Sequence, residues 1–135
     1  MDDKLKELFN QGVTLSLSAN AAEEQGAMEQ AQKLNREAVA AFDQVLRECP
    51  PDLQQSPTYH GALSGKGLSL VALGETKAAA DTFKEACQFA PDYPENFRRL
   101  GLCYLELGDL SLARDVTVRA VKLANDKFYT GRAAA

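Results

Sequence analysis

The side chains that could do chemistry are few in this chain. His60 is the single histidine, and no Cys, Ser or carboxylate accompanies it at a supporting spacing. It falls near the predicted start of a helix, where the pattern favours a surface histidine over a general base. Cys49, Cys87 and Cys103 form neither a C-x-x-C pair nor a Cys/His ligand spacing. We therefore predict small apolar residues in helix interfaces instead of a metal or redox site.

Three closely spaced glycines are the next candidates. Gly61, Gly65 and Gly67 lie inside a helical pattern, so they do not predict a phosphate-binding loop. Gly61 and Gly65 predict either a locally weak helix or a close approach of another group to its backbone. The carboxylates are scattered without ligand spacing. We predict that the protein is not an enzyme and binds no metal or cofactor.

The elements that would position any site come from a repeat, because two segments match at a fixed offset along the chain. The first segment has Leu63, Gly67, Leu70, Gly74, Ala79 and Ala86 at the matching positions, and the second has Phe97, Gly101, Tyr104, Gly108, Ala113 and Ala120. Gly67 and Gly101 allow helices to approach closely, whereas Gly74 and Gly108 end one helix before another begins. Each unit is therefore predicted to be a helix, a tight turn and a second helix.

This pattern of Leu-Gly, aromatic, Gly, Ala, Phe, Ala and Pro resembles the tetratricopeptide repeat (TPR) family. The spacing of the two copies also matches the length of that repeat, which is about 34 residues. The stretch 63–91 carries most of the signature, including Phe83 and Pro91, and 97–125 carries the second copy. Departures occur at Lys66, where an apolar residue is usual, and at Thr117 and Asn125, where Phe and Pro are usual. The resemblance implies an all-α, right-handed superhelix of about six antiparallel helices that binds other proteins without catalysis.

The N-terminal part carries an enlarged copy of the same unit. Its matching positions are Leu8, Gly12 and Leu15, followed by Ala38, Phe42 and Pro50. The separation between these two halves exceeds that in the next copy by two heptads, so both helices can lengthen while their inward faces stay in phase. We predict a first hairpin that projects beyond the others. Its turn falls at Gln25-Gly26, with Asn20 as a competing turn and N-cap.

These units predict one domain over 1–135. Repeat 1 spans about 4–50, repeat 2 about 57–91 and repeat 3 about 94–125, followed by a tail at 126–135. Helices are predicted over 4–24, 27–49, 57–73, 76–90, 94–107 and 109–125. Ser56 and Pro57 have the types expected of an N-cap and a first helical residue.

The family resemblance implies a concave wall built from the first helix of each repeat. The residues predicted to line this binding groove are Phe9, Val13, Ser64, Leu68, Val71, Arg98, Arg99 and Leu102. This apolar wall predicts capture of an apolar peptide or an amphipathic helix, with the two arginines orienting an acidic or carboxylate group. The carboxylate clamp that some family members use is disfavoured, because only Arg99 matches it.

The C-terminal end of the repeat array has no following helix to cover it. The residues predicted on this face are Val121, Leu123, Ala124, Phe128 and Tyr129. Either the two aromatic residues fold back over the others, or the face contacts a partner or a second copy in a homodimer. The alternative function is therefore a self-assembling scaffold that uses this face or the long first hairpin.

Composition excludes several other classes. The net charge is −4, and it is uneven, with 8 basic against 14 acidic residues over 1–93 and 7 against 5 over 94–135. There is no basic stripe interleaved with aromatics, so we predict no nucleic-acid partner. The Met-Asp-Asp-Lys start does not resemble a signal peptide, and no apolar run is long enough to span a membrane. We predict a cytoplasmic protein without membrane contact.

Overall fold

The protein is all-α in a computed structural model that describes the backbone of residues 3–134 and the side chains of residues 3–128. The helices are α1 (Asp3–Glu24), α2 (Met28–Glu48), α3 (Pro57–Ala72), α4 (Thr76–Phe89), α5 (Pro94–Glu106) and α6 (Leu110–Ala134). A short 3-10 helix, Pro51–Leu53, lies in the connection between α2 and α3. The predicted number and order of helices are confirmed, and no strand occurs between residues 3 and 134.

Each helix packs against the next one in the chain, and α1 also contacts α3. Such consecutive packing of antiparallel helices is typical of a helical superhelix. Ser64 on α3 donates a hydrogen bond to Asn96 on α5, with 3.1 Å between Oγ and Oδ1. Polar contacts therefore join α3 to α5 directly, and α1, α3 and α5 are neighbours along one side of the molecule.

The three hairpins turn in the same way. Gly26, Gly74 and Gly108 have φ angles of 78°, 77° and 83°, a conformation that residues with a Cβ rarely adopt. At each turn, the glycine N–H and the N–H that follows it donate to carbonyls of the preceding helix in the two-bond Schellman arrangement. The predicted turn at Gln25-Gly26 is thus confirmed, whereas Asn20 lies inside α1 and begins no helix.

The first hairpin is elongated as predicted. Its helices have 22 and 21 residues, against 16 and 14 in the second hairpin and 13 in α5. Ser56 caps α3 by accepting a hydrogen bond from the Tyr59 N–H at 3.3 Å, as its residue type predicts.

The predicted end of the last helix at Asn125 is wrong, because α6 continues to Ala134. Pro50 and Pro91 stand at the ends of the first two hairpins, where a ring without an N–H stops a helix. Asn125 replaces proline in the third hairpin and keeps its N–H, so the helix passes through it. The stretch 126–134 is consequently part of α6 and not a separate tail.

Aromatic rings fill the interior where glycines leave room. Phe42 is 1% exposed and lies against both Gly12 and Gly65, where an added Cβ would come within 2.7 Å and 2.5 Å of the ring. Phe83 occupies the matching place at Gly67, with a distance of 2.6 Å. Close helix approach at these glycines therefore depends on one ring in each of the first two hairpins, whereas Gly101 in the third hairpin lies against Thr117.

The unusual Lys66 has a local explanation. Its Nζ lies 2.7 Å from Oδ1 of Asp43, and both side chains are half-buried. The pair joins α3 to α2, so a charged residue is accommodated where the repeat pattern favours an apolar one.

Candidate binding groove

Two apolar pockets lie on the side formed by α1, α3 and α5. The first, which we call the arginine pocket, lies between α3 and α5 and has a volume of about 210 Å³. Five of the eight predicted groove residues line it together: Leu68, Val71, Arg98, Arg99 and Leu102. Leu68 and Leu102 are 46% and 52% exposed, so leucine side chains face solvent at its rim.

The second pocket, which we call the amide pocket, lies between α1, α2 and α3 and has a volume of about 240 Å³. Its apolar lining comes from Val13, Leu17, Phe42, Leu68 and Ala72, and its polar side chains are Ser16, Asn20, Asn35 and Ser69. Gly61 and Gly65 contribute bare backbone. Leu68 lines both pockets, so they are neighbours on α3, and we call the two together the candidate groove.

Two of the predicted groove residues have other roles. Phe9 is half-buried and packs on Phe42 with 6.0 Å between ring centroids, and its ring lies against Gly61. Ser64 is engaged with Asn96 and lines neither of these pockets. The glycine at 61 is thus explained by Phe9 and that at 65 by Phe42, which confirms close approach to the backbone of α3.

The arginines are already paired within α5. Arg98 Nε donates to Glu95 Oε1 at 2.8 Å, a second nitrogen of the same guanidinium also contacts that oxygen, and Arg99 Nε lies 3.4 Å from it. The hydrogen bond from Arg98 lowers the pKa of Glu95 despite an opposing effect of desolvation. Glu95 faces both cations, and a second carboxylate, Glu106, also lines the arginine pocket, so the two positive charges are balanced there.

The prediction that His60 is a surface histidine is wrong. His60 is half-buried, its Nε2 lies 2.6 Å from Nδ2 of Asn96, and its ring meets Tyr93 edge-on. Since Ser64 donates to the oxygen of the Asn96 carboxamide, the nitrogen of that group donates to His60. His60 Nε2 is therefore the acceptor, and neutral His60 carries its proton on Nδ1.

We expect this chain of hydrogen bonds to make stability depend on pH. Burial lowers the pKa of His60 below its ordinary value, so the unfolded state binds a proton first as pH falls. Protonation of Nε2 would also abolish its acceptor role towards Asn96. The urea midpoint should therefore fall between about pH 7 and pH 5, and it should fall less in His60→Gln. Equal shifts in both proteins would contradict the assignment.

Asn35 is the residue that the sequence analysis missed. It is 4% exposed, lines the amide pocket and lies in register with Ala31, Ala38 and Phe42, the inward stripe of α2. A polar residue at that register was the available signal, because the helix positions one turn before and one turn after it are apolar and inward-facing. Its neighbour in the sequence, Leu34, is only half-buried.

The predicted C-terminal face lies on α6. Val121 is 55% exposed and Phe128 is 58% exposed, Ala124 is exposed, and Leu123 is half-buried. Phe128 cannot fold back over the others, because α6 is one continuous helix. Tyr129 lies outside the residues whose side chains are described.

The three cysteines are buried and unpaired. Burial raises the pKa of the Cys87 thiol to about 11, and it also raises the pKa of Cys49 and Cys103. In the described part of the chain, no group of three or more His, Cys, Asp or Glu residues could hold a metal ion. No helix among the described residues combines the length and apolarity that crossing a membrane requires.

No protein-family model matches this chain, and no curated protein matches it.

Proposed function

We propose that this chain is a tetratricopeptide repeat protein that works as a noncatalytic adaptor, holding an apolar peptide or an amphipathic helix in the groove across α1, α3 and α5. The observation that carries the proposal is the pair of apolar pockets that meet at Leu68. Hairpins with the same Schellman turn, at Gly74 and Gly108, support the family assignment, because these glycines are equivalent positions of the predicted repeat.

The chemistry of the groove favours a partner with regularly spaced apolar side chains. Leu68, Val71, Leu102 and Leu105 are all more than 40% exposed, on two neighbouring helices. Isolated exposed leucines are ordinary, whereas a contiguous set beside two pockets is typical of a binding surface. Arg98 and Arg99 offer guanidinium groups that could bind an acidic group next to the partner's apolar residues, in exchange for their contacts with Glu95.

The test is capture of partners by the double variant Leu68→Asp/Leu102→Asp. We expect loss of at least about tenfold in capture, since two carboxylates would have to be buried on binding. The matched control is Leu110→Asp, which changes an exposed leucine at the start of α6, away from both pockets. Helicity should be unchanged in both. Undiminished capture by the double variant, from lysate of the native cell, would refute the groove.

A second candidate function is self-assembly through α6. Val118, Val121 and Phe128 recur at helical spacing and are each more than half exposed. No helix follows α6 within the described residues to cover this face. A second copy of the chain would bury it symmetrically.

Light scattering coupled to size exclusion tests self-assembly. A scaffold should show a mass above 14.7 kDa that rises with concentration, and Val121→Asp should reduce it to the monomer value. A monomer at every concentration removes this candidate and leaves the groove proposal unaffected.

A further inference from the structure

We infer that the amide pocket receives a tyrosine side chain of the partner, with the phenol hydroxyl hydrogen-bonded to the carboxamide of Asn35. The inference rests on the proposed function for the identity of the ligand as part of a peptide. It goes beyond an apolar groove because it names the side chain that fills one end of it.

Asn35 is an open hydrogen-bonding group at the floor of the pocket. It is more than nine-tenths buried, because only 4% of its surface is exposed, and none of the described residues makes a hydrogen bond to its carboxamide. Polar side-chain atoms that are sealed from solvent all have partners in the described part of the chain. The carboxamide must therefore reach solvent, and the pocket it lines is where that occurs.

Among the polar residues of the amide pocket, Asn35 is the one placed to hydrogen-bond a buried ligand group. Ser16 and Ser69 hydrogen-bond to each other, with 3.2 Å between their oxygens. Asn20 is exposed and stands at the rim, as does Leu17, whereas Phe42 and Asn35 are buried at the floor. An entering side chain therefore passes apolar walls before it meets the amide.

The volume of the amide pocket and its lack of charged lining residues limit which side chains it can hold. A volume of about 240 Å³ is smaller than the pockets that hold whole drug-sized ligands, so it fits one side chain. None of the described residues that line it is charged, and a buried unpaired charge is costly, which disfavours Lys, Arg, Asp and Glu. Apolar walls and the Phe42 ring favour an aromatic occupant.

The carboxamide selects among the aromatic side chains. It has both a donor and an acceptor, and the hydroxyl of tyrosine likewise donates and accepts. Phenylalanine would strip water from Asn35 and leave it unpaired, whereas the indole of tryptophan can only donate. A buried group built to bond a hydroxyl discriminates strongly against the analogue that lacks one.

The experiment compares two probes on the full chain. N-acetyl-L-tyrosine methylamide and N-acetyl-L-phenylalanine methylamide are titrated by heteronuclear NMR, and the side-chain NH₂ signals of Asn35 are assigned by their loss in Asn35→Leu. We expect the tyrosine probe to bind about tenfold more tightly and to shift those signals. In Asn35→Leu the two affinities should agree within about twofold.

Matched variants separate a direct contact from a structural effect. Asn10→Leu makes the same change at an exposed position of α1 outside the amide pocket and should keep the preference for tyrosine. Asn35→Ala replaces Asn35→Leu if the larger side chain prevents folding. Equal affinities of the two probes for the wild-type protein would overturn the inference. A preference for the tyrosine probe that persists in both Asn35→Leu and Asn35→Ala would overturn it as well.

The outcomes distinguish this inference from the proposed function. If Leu68→Asp/Leu102→Asp loses its partners but neither probe prefers the amide pocket, the groove stands and the tyrosine assignment fails. If the probes show the expected preference while that double variant captures partners normally, the tyrosine site stands and the proposed function fails.

Discussion

Replacing Phe42 by alanine should cost about 3–5 kcal/mol of folding free energy, the range for deleting a buried aromatic side chain. Phe42 is 1% exposed, belongs to a core cluster with Ala38 and Val45 of α2 and Ala62 of α3, and contacts α1 and α3 at Gly12 and Gly65. Helices held apart by these contacts cannot close the space fully, so a cavity remains. The loss is a large fraction of the roughly 5–15 kcal/mol that stabilises a typical domain.

The measurement is urea unfolding followed by far-UV circular dichroism, with the slope compared to exclude a change in the denatured state. Phe9→Ala is the matched control, because Phe9 packs on Phe42 but is only half-buried. The free energy of unfolding should fall clearly less in Phe9→Ala than in Phe42→Ala. Equal losses from the two substitutions would show that the ring of Phe42 does not hold the three helices together.

The fold could be predicted largely because the residues that end its helices are recognisable in the sequence. Gly74 and Gly108 require a positive φ, and proline at 50 and 91 stops a helix, so four hairpin and connection points followed from residue type alone. The first turn was left open between Gly26 and Asn20. The wrong prediction for the end of α6 also arose from relying on residue type to locate helix ends. Asn125 carries no signal that distinguishes a stop from a continuing helix, so the repeat pattern suggested an end that the chain does not have.

The groove was harder to predict, because helix register shows which way a side chain points but not which residues of other helices lie next to it. Leu68, Val71 and Leu102 were placed by counting along helices, and they do meet in one pocket. Whether Phe9 points into a groove or packs on Phe42 depends on how closely α1 approaches α3, and Gly61 sets that distance. The sequence shows the glycine but not the ring that uses it.

Contacts between buried polar groups were the hardest feature to predict from the sequence. Asn96 on α5 is 0% exposed and connects two residues of α3, Ser64 and His60, although both lie far from it along the chain. Spacing along the sequence cannot reveal such a contact, because the partners lie on different hairpins. Asn35 differs, because its inward register was visible in the sequence, but its importance comes from having no hydrogen-bond partner among the described residues, which register does not show.

Gly65→Ala should destabilise the protein by about 1–2 kcal/mol, although a glycine-to-alanine change inside a helix ordinarily gains about 1 kcal/mol. An added Cβ at this position would lie 2.5 Å from Cζ of Phe42 and 2.7 Å from Cε2. The ring has little room to retreat, because it also packs closely on the α1 backbone at Gly12, where a Cβ would come within 2.7 Å of it. Overpacking therefore outweighs the gain in helix propensity.

Gly61→Ala is the matched change one turn earlier on α3, and it should have the opposite sign or no effect. The added Cβ would come within 2.9 Å of Phe9, but that side chain is half-buried and can turn outward. The decisive comparison repeats Gly65→Ala in a Phe42→Leu background. Leucine lacks the Cε and Cζ atoms that create the clash, so only helix propensity remains and the substitution should stabilise by about 1 kcal/mol. A destabilisation of the same size in both backgrounds would mean that Gly65 accommodates something other than the Phe42 ring.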